Sequence, residues 1–327
     1  LDVERRTFLG SGIAMIAAAA AAQSEPTPFA GDPNAPFWPP KERFPLWPGR
    51  PPGAPSKPIV PNWTMNNPAP NRELWIRGVP MPEVHVFRAA HPDGSSLLAF
   101  PGGGYEFLSV QNEGIDVAER FNADRTTVFV LTYRLPAEGW TDRSLVPLQD
   151  AQRAIRLIRS RAGDFRIDPA RLGIVGFSAG GHLAADLAVS FDAPIYKPVD
   201  AADRLPARPA FAGLIYPVTT LGAETHGGSR DNLLGLNAPP DLIAARSPVL
   251  RVSAATPPSF VVAAFDDGTV PIDNSFEWIA ACRKAKVSVE AHLLAEGGHG
   301  FGFHLPRDRP GSLWPDLFAL WMRKHGG

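Results

Sequence analysis

Cysteine is nearly missing from these 327 residues: Cys282 stands alone. A single thiol cannot close an internal disulfide, and it excludes any multi-cysteine zinc or iron–sulfur site. A charge surplus is missing too. Thirty-two Lys and Arg offset 33 Asp and Glu, leaving a net charge of −1. That is too little to draw in a nucleic acid or an anionic membrane surface, so neither is expected as a partner. The apolar run near the N-terminus, residues 10–22, falls short of the ~20 residues a membrane-spanning helix requires. What remains is ordinary globular composition, 44% hydrophobic and 20% charged, with chain enough to bury a large core.

Arg5-Arg6 leads into Thr7-Phe8-Leu9 and the Ala-rich run, which ends in small residues before Gln23-Ser24-Glu25. A charged start, a short apolar stretch and small residues at its end describe an export signal. The arginine pair before Phe-Leu is similar to a twin-arginine signal, which exports proteins already folded. Residues 1–23 therefore read as a leader and the protein as periplasmic or secreted, with no stable membrane insertion once the leader is gone. A frayed alanine helix is the plain alternative.

Residues 24–75 form a proline-rich arm containing Phe37-Trp38-Pro39-Pro40 and Pro45-Leu46-Trp47-Pro48-Gly49. Proline opposes both helices and sheet ladders, so an extended arm is predicted. Trp38, Trp47 and Trp63 are large apolar rings that a free tail has no use for, so the arm is expected to lie along the domain formed by residues 76–327. A disordered linker is the competing reading.

Within 76–327, strand and helix patterns alternate. Runs 84–87 and 96–100 read as strands joined by the turn His91-Pro92-Asp93-Gly94. Residues 126–133 are apolar on both faces, as a buried central strand should be. Ala151, Ala154, Ile155, Ile158 and Ala162 recur at three- and four-residue steps, marking one buried helix face. Further strands fall at 172–175, 211–216, 260–265 and 287–294, and further helices at 183–189, 274–284 and 313–324. This alternation predicts an α/β protein: a mostly parallel central sheet with helices on both faces. The weakly periodic stretch 217–258 is expected over the site.

The chemistry starts at Gly176-Phe177-Ser178-Ala179-Gly180-Gly181. This G-x-S-x-G motif lies between a predicted strand and a predicted helix, the context a nucleophile elbow requires. A tight turn exposes the serine hydroxyl, and the flanking glycines remove Cβ atoms that would clash. A glycine-rich turn that merely contains Ser is the alternative. A serine hydroxyl needs a base within hydrogen-bond reach. Of eight histidines, His299 in Glu296-Gly297-Gly298-His299-Gly300-Phe301 sits on a loop after a late strand, where the base of such a fold belongs. His304 is its nearest rival. His182, His85 and His292 fall inside predicted elements and read as structural. An acid must orient the base, and Asp266 or Asp267, after the strand at 260–265, could serve. Pro101-Gly102-Gly103-Gly104-Tyr105 follows the strand at 96–100 and lets backbone amides approach a substrate oxygen. No Gly-Lys-Ser/Thr follows, which argues against a phosphate loop. The Ala179 amide would be the other oxyanion donor. Tyr105, Glu113 and His226 are candidates for lining the substrate pocket, with packing as the alternative for each.

Residues 101–105, 176–181, 267–271 and 297–301 resemble the α/β-hydrolase esterases related to hormone-sensitive lipase. More closely, they resemble the bacterial acetylxylan-esterase-like branch that acts on plant polysaccharides. Leu46-Trp47-Pro48-Gly49, Tyr133-Arg134-Leu135, Asp150-Ala151-Gln152-Arg153-Ala154 and Asp273-Asn274-Ser275 look like that branch as well. The similarity covers roughly residues 45–324. It implies the α/β-hydrolase fold, Ser178 as nucleophile, Asp267 as acid, His299 as base, and Gly103, Gly104 and Ala179 as oxyanion donors. Pro101 stands where the lipase relatives carry His, which sets this chain apart from them but leaves the backbone donors intact. The expected function is metal-free, cofactor-free hydrolysis of carboxylic esters through an acyl-enzyme, removing acetyl groups from xylan-type sugars. A feruloyl or general short-chain esterase is the nearest alternative; a serine peptidase of the same fold or a non-catalytic binding module lies further off.

Overall fold

The computed structural model describes residues 35–67 and 72–325; the leader expected at 1–23 lies outside the described residues. Eleven strands are present among them: β1 (Arg43–Pro45), β2 (Asn62–Asn66), β3 (Glu73–Arg77), β4 (Glu83–Phe87), β5 (Ser96–Phe100), β6 (Leu108–Ser109), β7 (Thr127–Thr132), β8 (Leu172–Phe177), β9 (Ala212–Ile215), β10 (Ser259–Ala264) and β11 (Val289–Leu294). The helices are α1 (Asp116–Asn122), α2 (Val146–Ser160), α3 (Ala162–Phe165), α4 (Ser178–Ser190), α5 (Gly227–Leu234), α6 (Pro240–Ala245), α7 (Asp273–Ala285) and α8 (Trp314–His325).

Eight strands form the main sheet in the order β1-β4-β7-β5-β8-β9-β10-β11. From β7 to β11 every pairing is parallel, while β1 and β4 add an antiparallel edge. Strands β5, β7, β8 and β10 are buried at every residue. Their continuous apolar runs suit strands covered on both faces, and helices flank the sheet as such strands require. This is the α/β-hydrolase fold. The strands at 84–87 and 96–100 do not form a hairpin: β4 pairs antiparallel and β5 parallel with β7, and they do not pair with each other. The turn at 91–94 therefore belongs to a crossover.

The parallel pairing has one consequence that matters for chemistry. It puts the carboxyl ends of β5, β8, β9, β10 and β11 on one rim, and ligands of open α/β sheets bind beyond that rim. The segments that leave these ends are 101–105, Ser178, Tyr216, Asp266-Asp267 and the loop carrying His299.

The proline-rich arm departs from its expected lack of ladders. β1 pairs with β4 at the sheet edge, where Pro45, its last residue, has no second neighbour to bond. β2 pairs with β3 in a small antiparallel sheet completed by β6. The tryptophans account for the docking. Trp38 and Trp47 are buried and Trp63 is half-buried against the core. Trp47 donates through its indole nitrogen to Asp150 of α2 at 2.9 Å, and Arg153 donates to the Leu46 carbonyl at 3.0 Å. Asp150 also pairs with the buried Arg134 at 2.8 Å, whose guanidinium lies over the rings of Trp47 and Trp140.

Candidate active site

Ser178 stands where β8 gives way to α4, with φ at +53°. That left-handed conformation is strained for a residue with a Cβ and persists only where its surroundings enforce it. The enforcement comes from the neighbours. A Cβ on Gly176 would lie 2.1 Å from the Gly180 carbonyl oxygen, and one on Gly180 would lie 2.1 Å from that of Phe100. Glycine at both positions lets strand, turn and helix close on one another. The helix begins at Ser178 itself, five residues before the apolar pattern that predicted it. The Ala179 amide is thus at a helix N-terminus, without an intrahelical acceptor.

His299 Nε2 lies 2.9 Å from Ser178 Oγ, and His299 Nδ1 lies 2.7 Å from Asp267 Oδ2. A carboxylate only accepts, so Nδ1 carries the ring proton and Nε2 presents its lone pair to the serine hydroxyl. Asp267 is held in turn by the amides of Thr269 and Val270, which donate to Oδ1 at 2.8 and 2.9 Å. The other carboxylate, Asp266, points elsewhere. Its Oδ1 accepts from the amides of Gly297 and Gly298 at 2.8 and 2.7 Å, and the Gly298 bond foremost holds its pKa below the usual carboxylate range. One aspartate orients the imidazole; its neighbour fastens the loop that carries the imidazole.

The glycine segment after β5 is a tight turn. Gly103 and Gly104 have φ of +118° and +63°, and a Cβ on Gly103 would lie 2.2 Å from the Phe107 carbonyl oxygen. The Gly103 carbonyl accepts from the amides of Glu106 and Phe107, and Asn232 of α5 donates to the Gly104 carbonyl at 2.9 Å. Among the described residues, the amides of Gly103, Gly104 and Ala179 donate to no protein acceptor. That is the state an oxyanion site needs before substrate arrives.

The three pocket candidates separate. Tyr105 is 1% exposed; its hydroxyl donates to His182 Nδ1 at 2.7 Å, since His182 Nε2 must donate to the Arg246 carbonyl. Glu113 is buried as well, accepting from the Gly102 amide and the Tyr216 hydroxyl. Both side chains are spent inside the protein and do not open on a pocket. His226 is different: it is half-buried on the 217–258 segment, and a Cβ on Gly104 would lie 3.6 Å from its Cε1. Its Nδ1 accepts from the Ser229 amide at 3.3 Å, so the neutral ring carries its proton on Nε2. Burial first, and then the proximity of His299, lower its basicity.

The remaining histidines have local duties. Burial drives His182 down to about 4, and burial with Arg43 drives His85 down to about 3. His304 bonds Asp116 at 3.0 Å and His292 bonds Glu290 at 3.1 Å. Two residues at the site escaped sequence reasoning, Tyr216 and Asn112. Tyr216 follows β9 with φ at +37°, and its ring lies 5.0 Å from that of His299. Its place at the end of a parallel strand was the available signal. Asn112, which donates to the Gly300 carbonyl at 3.1 Å, carried none.

A protein-family comparison matches residues 101–281 to the BD-FAE family. The chain belongs to the BD-FAE family. Among the curated relatives of this BD-FAE chain, the acetylxylan esterase of Xylanibacter ruminicola is 34% identical over 68% of this chain and 44% of its own length. Endo-1,4-beta-xylanase B of Butyrivibrio fibrisolvens is 35% identical over 66% of this chain and 34% of its own. The chain thus spans less than half the length of these two relatives. Among solved structures, an acetyl ester-xyloside bifunctional hydrolase from Caldicellulosiruptor lactoaceticus superimposes with a TM-score of 0.71 at 32% identity. That match covers 89% of this chain and 98% of the other.

Proposed function

We propose that this protein is a serine carboxylic ester hydrolase that removes acetyl groups from xylan-type carbohydrate esters. The observation that carries the reading is the unbroken hydrogen-bond line from Ser178 through His299 to Asp267. Three relatives named for xylan or acetyl-ester chemistry support the substrate class.

His299 takes the Ser178 proton as Oγ attacks the ester carbonyl, and Asp267 stabilises the imidazolium. Negative charge on the tetrahedral oxygen falls to the amides of Gly103, Gly104 and Ala179. Collapse expels the sugar oxygen, which takes the proton from His299 Nε2 and leaves an acyl-serine. Water, deprotonated by the same nitrogen, then attacks the acyl carbon and releases the acid and the free serine. His226 lies beside Gly104, and among the described residues its Nε2–H has no protein acceptor, which makes it a neutral donor suited to a sugar oxygen near the scissile bond. None of these steps calls on a cofactor.

The test is turnover of acetylated xylan, feruloylated xylan and p-nitrophenyl acetate, with Ser178→Ala as control. Acetylated xylan should be the best natural ester, and Ser178→Ala should lose all measurable turnover while unfolding within about 1 kcal/mol of wild type. Preference for the feruloyl ester moves the substrate class; retained turnover in Ser178→Ala removes the nucleophile. We further infer export of the folded protein through residues 1–23. Arg5→Lys with Arg6→Lys should trap the protein in the cytoplasm, and unchanged export would refute a twin-arginine route.

A further inference from the structure

Residues Gln111–Ile115 form a single π-helical turn, a rare conformation that concentrates at functional sites. It sends two adjacent side chains to two different loops of the rim. Asn112 donates to the Gly300 carbonyl beside His299. Glu113 turns inward, where Oε2 accepts from the Gly102 amide at 2.6 Å and Oε1 accepts from the Tyr216 hydroxyl at 2.8 Å. The same Tyr216 hydroxyl accepts from the Gly302 amide at 3.2 Å, and the Tyr216 ring packs against His299 and Phe301. One buried carboxyl therefore joins the glycine loop to the histidine loop, although it bonds no member of the triad.

A buried carboxyl whose hydrogen-bond partners are an amide and a phenol, with no Lys or Arg among them, is a poor device for stability alone. Its partners explain why it is there. Gly102 is wedged against the nucleophile turn: a Cβ at this position would lie 2.6 Å from the Phe177 carbonyl oxygen, 2.8 Å from Glu113 Oε2 and 3.0 Å from Ser178 Cβ. The two residues that follow Gly102 carry the free amides. Any slack at Gly102 is passed to those amides, and misplacement by an ångström weakens stabilisation that depends on pre-aimed donors.

We propose that Glu113 is a positioning residue for ester hydrolysis, holding the glycine loop against the nucleophile turn and coupling it to the histidine loop through Tyr216. The proposal rests on the esterase reading. Its carboxylate form fits both donors at once, whereas a protonated oxygen would face a donor. Burial pushes Glu113 up to about 7, against the bonds from Gly102 and Tyr216. The titratable groups around it are Tyr216 at the end of β9, Glu73 on β3, Tyr133 after β7 and His299 on its loop. Loss of the ionised form near neutrality thus makes turnover depend on the ionisation of Glu113.

The experiment measures kcat and KM for p-nitrophenyl acetate from pH 5 to 9 in wild type, Glu113→Ala, Glu113→Gln and Tyr216→Phe, with melting temperatures and fluorophosphonate labelling of Ser178. Glu113→Ala should lower kcat about 100-fold with KM nearly unchanged. Glu113→Gln keeps an acceptor for Gly102, so it should stay within about tenfold of wild type. Its acid limb should lack the ionisation near 7 that Glu113 gives the wild type. If Glu113→Ala does not fold, the pH profiles of Glu113→Gln and Tyr216→Phe decide the matter. Variants that match an active wild type in kcat and in pH profile overturn the proposal. A wild type that neither turns over ester nor labels at Ser178 overturns the esterase reading instead, a separate outcome.

Discussion

Two adjacent aspartates at the rim do different work, and the difference is measurable. Asp267 accepts from His299 Nδ1, while Asp266 accepts from two loop amides. Asp267→Asn presents either an oxygen with no charge or an amide that donates, so the imidazole loses its tautomer; kcat should fall by roughly 10⁴. Asp266→Asn keeps an oxygen for the Gly297 and Gly298 amides and should stay within about tenfold. Steady-state kinetics on p-nitrophenyl acetate decide this, and a reversed order would exchange the roles. His226 makes a prediction of another kind. On the proposed reading its Nε2–H meets the sugar rather than the reacting serine, so His226→Ala should raise KM for a sugar acetate about tenfold and leave that for p-nitrophenyl acetate nearly unchanged. Equal effects on both substrates would deny it any contact with the sugar.

At the scale of elements, what was legible followed periodicity. The buried strands β5, β7, β8 and β10 show as unbroken apolar runs, and α2 shows as one apolar face, because burial leaves its mark on composition. The meeting of Ser178, His299 and Asp267 was legible for a different reason: glycines and polar residues cluster where parallel strands end, and chain order restricts which cluster is expected to play which part. The small strands were not legible. β1, β2, β3 and β6 span two to five residues each, too few to show a period, and β1 and β6 gain their ladders from partners over 30 residues away. The pairing of β4 with β7 was not legible either, since pairing is a long-range property. Glu113 and Tyr105 read as pocket residues because sequence cannot tell a carboxyl or phenol that faces solvent from one turned inward onto an amide or an imidazole. The arm supplies this scale's prediction. Trp47 is 2% exposed and bonds Asp150 from 103 residues away, so its truncation leaves a cavity and a buried carboxylate short of one donor. Trp47→Ala should cost about 3–5 kcal/mol in urea unfolding with kcat unchanged in the folded protein. A loss below about 1 kcal/mol would mean that the arm is laid on the domain without supporting it.

The molecule as a whole carries almost no net charge, so its response to pH comes from the few groups whose burial sets them apart from the unfolded chain. Three of them act in opposite directions. His85 and His182 are pushed down to about 3 and about 4; they stay neutral in the fold while the unfolded chain binds protons below its ordinary imidazole range. Each therefore withdraws stability as pH falls, on the order of 2 kcal/mol by pH 5. Glu113, pushed up to about 7, does the reverse. Its contribution is present below the ordinary carboxyl range and is lost as pH rises through 7, on the order of 2–3 kcal/mol between pH 5 and 8. The two trends offset most of each other, so wild type should change only modestly in stability across that window. Glu113→Gln removes one side of the balance: whatever its stability at pH 5, it should gain about 2–3 kcal/mol on wild type by pH 8. Urea titrations of both proteins at several pH values test this, and two parallel curves would show that the Glu113 carboxyl titrates in the fold as it does in water.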